Sequence, residues 1–462
     1  MNLINSDKKR SINLAYYLIL SLPVTLVLSR FAADLSIVIL TILFFVINAE
    51  KKIFDNRLVV FAIILIFYST ISSLLSDNIL FSLKSSLLHL RFIFFILVLG
   101  IVFLYLKNNF LENLFKVFIF CYIFLFFDAT IQFFFKQNIF GYSVNPITRV
   151  SSLFFDELIL GSYLSRLFPI ICFLYAYLKL RINIYLIIYF LLHLYFTVLI
   201  TGERLSFLIL NIYYLLFVSF YFKRTFVKII LIFITILSFI FLLIFAGNFF
   251  ARTSFEKIIN QSVKMNYNVC KETLTNIKNN KELYKRWNLP EDTNIQQINS
   301  GQYQSYIPNC TPIIKIFGKD IYYVFSVMHY NHYLSAIEIF KDNKLLGIGP
   351  KNYRKICKNE SYYLNEFSCS THPHNYFLQI LAETGFIGLF LFSIIYLSFL
   401  YLFFLNFLQR DNKNFLPKYF LICCFLVNFF PIFPSGNFFN NWNAIIYTFP
   451  LGILLSLYKV RN

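Results

Sequence analysis

The sequence predicts an all-α polytopic membrane protein with about 12 transmembrane helices and one large loop between helices 9 and 10. Three observations support this prediction. Of the 462 residues, 58% are hydrophobic and only 14% are charged, a balance that no water-facing globular surface of this size carries. The apolar residues form long runs separated by short polar segments. The basic residues alternate in number from one polar segment to the next.

The apolar runs define the predicted spans. A perpendicular helix needs about 20 apolar residues to cross the hydrocarbon core, and several of these runs are shorter. The predicted spans cover residues 14–29, 35–48, 58–75, 92–106, 114–135, 158–178, 182–200, 205–222, 229–245, 386–405, 419–433 and 444–457. An even number of spans places both termini on the same side of the membrane.

The basic residues set the orientation. The formal charge of +19 would indicate nucleic acid in a soluble protein, but here the 41 Lys and Arg sort by membrane side. Seven short segments hold eighteen of them and the alternate short segments hold six, which is the positive-inside signature. We therefore predict a bacterial inner (plasma) membrane protein with cytoplasmic termini and no nucleic-acid partner.

The same rule divides the chain into three parts. Membrane helices 1–9 fall within residues 1–247, a polar loop domain within 248–373, and helices 10–12 within 374–462. The loop domain is predicted to lie outside the cytoplasm, which is the periplasm in a Gram-negative cell.

Cysteine usage agrees with this orientation. Four of the eight cysteines fall in the loop: Cys270, Cys310, Cys357 and Cys369. An even number in an oxidising compartment indicates two disulfides with three possible connectivities, and free thiols placed by chance are the alternative. The other four cysteines lie in predicted spans, where packing is the expected role. No cysteine has the spacing of a metal site, so we predict no metal and no cofactor.

One motif stands where the loop returns to the membrane. His374 is followed by Asn375, nine further residues, Gly385, two residues and Gly388. This arrangement resembles the pattern of the O-antigen ligase family, which belongs to a superfamily with the O-antigen polymerases. The Gly-x-Gly-Pro sequence at residues 347–350 is similar to the turn that precedes this histidine in the family, and a tight structural turn is its expected role.

The resemblance implies a catalytic His374 with Asn375, Gly385 and Gly388 in support. A histidine at a membrane boundary beside a water-filled cavity can titrate near neutral pH and take a proton from a sugar hydroxyl. His372 is the competing candidate. Alternatively, the histidine is an interfacial anchor and the glycines serve helix packing.

Two arginines fit the Arg-x-x-x-Leu pattern associated with the family. Arg149 and Arg204 both occupy predicted external junctions, where the resemblance implies a lipid diphosphate substrate. A guanidinium group matches phosphate oxygens bidentately and stays charged at physiological pH. The alternatives are a structural pairing of Arg204 with Glu203, or snorkelling to the interface, which is also the interpretation for Arg30 and Arg91.

Ionisable residues within or beside predicted spans are further candidates, because their burial is costly. Asp128 and Arg166 are expected to pair with each other, or Arg166 lines the cavity. Glu157 is a candidate to orient His374 or an arginine.

The function that the resemblance implies is a metal-independent membrane glycosyltransferase. A ligase would move a glycan from undecaprenyl diphosphate to a sugar hydroxyl of lipid A-core on the periplasmic side. A polymerase, the alternative, would join lipid-linked repeat units. A transporter or flippase for a lipid-linked oligosaccharide is the alternative of another class. The expected partners are thus the lipid-linked donor, the acceptor and membrane lipids.

Overall fold

The computed structural model describes residues 6–47, 57–144, 149–221, 260–288, 306–409 and 415–459. The predicted ninth span, residues 229–245, lies outside these ranges. The first helices are α1 (Ser6–Leu28), α2 (Arg30–Ile47), α3 (Arg57–Leu74), α4 (Ile79–Phe135), α5 (Leu160–Leu178), α6 (Ile184–Ile200) and α7 (Arg204–Tyr221). The later ones are α8 (Tyr267–Asn279), α9 (Lys281–Trp287), α10 (Val327–Asp342), α11 (Tyr353–Ile356), α12 (Tyr376–Leu408), α13 (Phe415–Asn428) and α14 (Asn441–Lys459).

Long apolar helices dominate the structure and confirm the prediction of a mostly helical, multi-pass membrane protein. Within the described ranges, six helices are long and apolar enough to cross a membrane: α1 to α5 and α12. The apolar helices α6, α7 and α13 are shorter. The two strands in the described ranges, β1 (Ile314–Ile316) and β2 (Lys319–Ile321), form a small antiparallel hairpin. The total of about 12 crossings stays a prediction.

Helix α4 folds back on itself at Lys107, where the backbone is non-helical with φ 42°. The rings of Phe95 and Phe118 would lie about 35 Å apart on a straight helix. Both contact the single ring of Phe449, with centroid distances of 5.8 and 5.9 Å. The two halves of α4 therefore lie side by side, as the separate predicted spans 92–106 and 114–135 require.

Helix α12 is also two helices, and its break at Gly385 positions the candidate site. Gly385 has φ 69°, and Phe377 before it contacts Phe392 after it at 5.2 Å between ring centroids. On a straight helix these residues would be roughly 20 Å apart. Residues 376–384 thus form a short arm that packs against the start of the predicted span 386–405.

The Gly-x-Gly turn holds this break in place. The amides of Ile348 and Gly349 donate to the carbonyls of Ala382 and Glu383. Gly347 has φ 67°, and a Cβ there would lie 2.5 Å from the backbone of Glu383. The turn therefore requires glycine both for its left-handed backbone and for the close approach of the two segments.

The polar loop domain is held by the two disulfides that the sequence predicted. Of the three possible connectivities, the structure has Cys270–Cys310 and Cys357–Cys369. The first joins α8 to the segment before the hairpin. The second closes the segment that leads from α11 to the histidine motif.

The expectation that Asp128 pairs with Arg166 is wrong. The Asp128 carboxylate accepts from the Ile139 amide at 3.0 Å and from the hydroxyl of Ser152. Arg166 instead donates to the Asn428 amide oxygen at 2.6 Å. The cause is the loop after α4, which returns over Asp128 and satisfies both of its oxygens, as a buried carboxylate requires.

Candidate active site

A cavity of about 1140 Å³ lies where the membrane helices meet the polar loop domain. Its walls come from the starts of α5 and α7, the residues before α8, the start of α10, the histidine motif and the segment 433–436. Four of the predicted site residues line this cavity: His374, Arg149, Arg204 and Arg166. The competing candidate His372 lines it too. The fold thus brings together side chains that are far apart in the sequence, from Arg149 to His374.

His374 is fixed by its own backbone and by the next residue. Its φ is 55°, a left-handed conformation that is uncommon for a residue with a side chain, and its carbonyl accepts from the Ser435 amide at 2.8 Å. Asn375 caps α12 by accepting from the Leu378 amide, and it donates to the Pro431 carbonyl at 2.7 Å. The motif's Asn therefore positions the histidine at the cavity wall.

Four of the six histidines of the chain form one cluster. The ring centroid of His374 lies 4.0 Å from that of His372, 5.2 Å from that of His332 and 5.5 Å from that of His329. The sequence analysis missed His329 and His332. Their spacing of three residues in an apolar-patterned helix was the available signal, because it places both on one face.

Hydrogen bonding separates the two competing histidines of the motif. His372 is buried, and its Nε2–H donates to the Ser435 carbonyl while its Nδ1 accepts from the Thr371 hydroxyl. Both of its ring nitrogens are thus engaged. His374 is half-buried and contacts the Ser370 hydroxyl through Nε2 at 3.3 Å. With respect to the described residues, its Nδ1 remains open to a ligand, so His374 is the better candidate for a base.

The cluster keeps its histidines neutral. Burial, with a smaller contribution from His329, lowers the pKa of His374 to about 4. Burial also lowers the pKa of His332, to about 3, and that of His372 well below its usual value. The sequence led us to expect that His374 titrates near neutral pH. The structure instead indicates a lower pKa, because desolvation disfavours the charged ring. A neutral imidazole is the form that a general base needs.

The arginines are held in place by oxygen acceptors. Arg149 donates from Nε to the Thr201 carbonyl at 3.0 Å, and Arg204 donates from Nη1 to the side-chain oxygen of Gln261 at 2.8 Å. Together with Arg166, they place three guanidinium groups along one cavity. Such a group of cations can hold a diphosphate.

Glu203 organises this side of the cavity. Its buried carboxylate accepts from the amides of Gly161 and Ser162 at the start of α5, at 2.8 and 2.9 Å, and from the Ser206 hydroxyl. Burial raises its pKa, and the nearby charge of Arg149 opposes that shift. Glu203 therefore ties the start of α5 to the start of α7, which carries Arg204.

The other predicted supporting residues lie elsewhere. Glu157 forms an ion pair with Arg30 and is not among the described residues that line the cavity. Gly388 faces Thr384 and Tyr68, and a Cβ on it would lie 1.9 Å from the Thr384 hydroxyl oxygen, so it permits the folded-back arrangement of α12. In the described part of the chain, no group of three or more His, Cys, Asp or Glu is arranged to hold a metal ion.

Comparison with known families identifies one segment. Residues 326–393 match the family described as O-antigen ligase. This range contains all four clustered histidines, the Gly-x-Gly turn and the folded-back start of α12, whereas the cavity arginines lie outside it. Comparison with curated proteins gave no match to the chain. The match at residues 326–393 confirms the resemblance to the O-antigen ligase superfamily on which the sequence prediction rested.

Proposed function

We propose that the protein is a membrane glycosyltransferase that moves a glycan from undecaprenyl diphosphate to a sugar hydroxyl of lipid A-core on the periplasmic side. One observation carries this proposal. A neutral histidine with an open ring nitrogen shares a cavity with three arginines at the junction of the membrane helices and the polar domain. A base beside a diphosphate-binding wall is what transfer from a lipid diphosphate requires.

These positions support the following reaction. When Nε2–H of His374 faces the Ser370 hydroxyl, the lone pair of Nδ1 is available to take the proton of the acceptor hydroxyl. The acceptor oxygen then forms a bond to the anomeric carbon, whose bond to the diphosphate oxygen breaks with its electron pair. Arg149, Arg204 and Arg166 stabilise the charge that develops on the leaving diphosphate. Attack opposite the leaving group inverts the anomeric configuration.

The acceptor distinguishes the two enzymes that share this chemistry. A ligase uses lipid A-core, and a polymerase uses another lipid-linked repeat. The complete histidine motif at positions 374–388 favours the ligase. A transporter, in contrast, would move the lipid-linked glycan across the membrane without transferring it to an acceptor.

A complementation experiment tests the proposal. The gene is deleted in its host and replaced by wild type, His374→Ala or His193→Ala, and lipopolysaccharide and lipid-linked glycan are resolved on gels. His193 is the matched control because it contacts Thr130, away from the cavity. A ligase predicts bare lipid A-core and long lipid-linked glycan after deletion or with His374→Ala. Core that carries single repeats indicates the polymerase.

Purified protein separates the enzyme from the transporter. We expect glycan transfer in detergent, where no second compartment exists, and loss of that transfer in His374→Ala. A wild-type protein that transfers nothing in detergent yet moves lipid-linked glycan across vesicle membranes would contradict the proposal.

A further inference from the structure

The cavity has an uncharged wall beside the base. Residues 323–329 include no Asp, Glu, Lys or Arg, and six of the seven line the cavity. Two of them, Phe325 and His329, are half-buried, and their rings are in contact with centroids 6.5 Å apart. The ring of His329 lies 5.5 Å from that of His374. A chain of ring contacts therefore leads from the base to Phe325.

Phe325 occupies a strained turn just before α10. Its φ is 64°, and the Ser326 amide donates to the Val324 carbonyl at 2.8 Å, so Phe325 is the central residue of a γ-turn with positive φ. This form of the γ-turn is rare and strained, and a bulky residue with positive φ is an outlier. Residues of this kind are concentrated at ligand sites, where the surrounding structure holds them in place.

The segment before α8 holds this turn. The Ser262 carbonyl accepts from the amides of Tyr322 and Tyr323, at 2.8 and 3.1 Å, and its hydroxyl donates to the Phe325 carbonyl at 3.3 Å. The Tyr323 hydroxyl accepts from the Asn266 amide at 2.9 Å. These bonds fix the turn through its backbone, without using the Phe325 side chain.

The ring of His329 is oriented by the N-cap of its own helix. The Ser326 hydroxyl accepts from the His329 amide at 3.3 Å and lies 3.0 Å from Nδ1. When the hydroxyl donates its proton to Nδ1, the ring proton is on Nε2. Within the described ranges Nε2 has no hydrogen-bond partner, so it can donate to a ligand. Burial, and to a smaller extent the charge of Arg204, lowers the pKa of His329, which keeps the ring neutral.

An aromatic face beside a neutral N–H donor fits a sugar better than a phosphate. Ligand sites commonly combine apolar and aromatic walls with a few polar groups that fix the orientation of the ligand. The C–H face of a sugar ring can stack on an aromatic ring, and its hydroxyls accept hydrogen bonds. A phosphate instead favours cations, which residues 323–329 lack.

The contact with the base distinguishes the acceptor sugar from the donor sugar. In the proposed reaction the acceptor hydroxyl attacks opposite the leaving diphosphate, so the acceptor sugar lies on the side of the base. His329 is in ring contact with His374 itself, and Phe325 is one ring further along the wall. The pair is thus placed to hold the sugar whose hydroxyl the base deprotonates.

We infer that Phe325 and His329 form the subsite for the acceptor sugar. The ring of Phe325 stacks on the face of this sugar, and the Nε2–H of His329 donates to one of its oxygens while His374 takes the proton of the attacking hydroxyl. This inference rests on the proposed function, and it identifies the residues that recognise the acceptor.

Steady-state transfer by the purified full chain tests the inference, with undecaprenyl-diphosphate-linked glycan as donor and lipid A-core as acceptor. The assay is run at pH 8, where His374 is neutral in every variant. Phe325→Leu keeps an apolar side chain but removes the aromatic face. It should raise the KM for the acceptor about three- to tenfold and leave the KM for the donor within about twofold of wild type. Phe325→Tyr, which keeps the face, should restore the wild-type value.

Phe317 provides the matched control. It is another phenylalanine of the polar domain with positive φ, 49°, but it is fully exposed between β1 and β2 and is not among the described residues that line the cavity. Phe317→Leu should leave both KM values unchanged. His329→Phe keeps a ring and removes the nitrogens, so it should raise the KM for the acceptor about three- to tenfold. His193→Phe, in α6, should not.

A binding measurement separates this inference from the proposed function. Core oligosaccharide released from lipid A is titrated calorimetrically into the full chain in detergent. Wild type should bind it, and Phe325→Leu should weaken binding by about the same factor as the KM. A wild-type chain that transfers nothing overturns the proposed function, and this titration then still shows whether the pair holds a sugar.

Three kinetic results would overturn the acceptor subsite and leave the transferase intact. The first is an unchanged KM for the acceptor in a Phe325→Leu variant that transfers glycan. The second is an increase confined to the KM for the donor, which would assign the ring to the donor sugar. The third is an equal increase in both KM values with a lowered melting temperature, which would give Phe325 a structural role only.

Discussion

The ring of His332 is stacked on the ring of His374, with centroids 5.2 Å apart and ring planes inclined by 22°. Both rings are poorly hydrated, and a charge on one raises the cost of a charge on the other. The Nδ1 of His332 is buried and has no hydrogen-bond partner among the described residues. The stack therefore favours two neutral rings, and this property of the site has direct consequences for the pH dependence of the reaction.

We predict that activity extends well below the pH at which an ordinary histidine titrates. Burial lowers the pKa of His374 from 6.5 to about 4, so the base is unprotonated at pH 7 and is lost only as the pH falls toward 4. A pH profile of kcat/KM should show an acid limb near that value. His329→Gln removes a neighbour whose charge lowers the pKa of His374, so the limb should move to higher pH. An acid limb near 6.5 in wild type would contradict this account.

Glu203 and Glu157 form a matched pair for the second prediction. In Glu203→Gln, an amide group faces the amides of Gly161 and Ser162, so at least one buried donor loses its acceptor. We expect a loss of about 1–3 kcal/mol in stability and a raised KM for the donor, because α5 carries Arg166 and α7 begins at Arg204. Thermal unfolding in detergent and transfer kinetics provide the two measurements.

Glu157→Gln provides the control. Its ion pair with Arg30 joins two half-exposed side chains, and such surface pairs contribute about 1 kcal/mol or less. We therefore expect nearly wild-type stability and kinetics. A larger effect of Glu157→Gln than of Glu203→Gln on the KM for the donor would contradict this account. It would support the sequence prediction that Glu157 orients His374 or an arginine.

The third prediction concerns the break in α12. A Cβ on Gly385 would lie 2.2 Å from the Leu345 carbonyl oxygen, and the φ of 69° is unfavourable for alanine. Gly385→Ala should cost about 2–4 kcal/mol and displace the arm that begins beside His374. Gly318→Ala is the matched control, because φ is 77° there but no atom lies within 4 Å of the added Cβ. We expect the control to lose only about 1 kcal/mol and to keep full activity.

Periodicity and charge predicted the parts of the fold that local chemistry determines. The helical segments, the break between residues 106 and 114 and the pairing of loop cysteines in disulfides all follow from hydropathy, the positive-inside rule and redox compartment. The hydrogen-bond partners of Asp128 could not be predicted in this way. They are Ile139 and Ser152, which lie in an irregular loop whose path has no periodic sequence pattern.

The candidate site was predicted only in part for a similar reason. The motif identified His374, and its position at a predicted interface allowed a chemical role. The neighbours His329 and His332 come from a helix in the polar domain, and the contact between that helix and the motif depends on tertiary packing. The lowered pKa of His374 depends on the same packing, so sequence alone led to the expectation of a value near neutral pH.

The last prediction concerns the disulfide Cys357–Cys369, which closes the segment immediately before His372 and His374. Closing a short loop of this kind removes conformational freedom from the unfolded chain and contributes about 3 kcal/mol in the chain-entropy description. The double variant Cys357→Ser with Cys369→Ser should therefore lower the melting temperature and also raise the KM for the acceptor, because the histidine segment adjoins this loop. The disulfide Cys270–Cys310 closes a loop far from the motif in sequence, and the double variant that removes it serves as the control. It should lose comparable stability but keep wild-type KM values at temperatures where it is folded. Equal kinetic effects of the two double variants would mean that the disulfides act only on the stability of the polar domain.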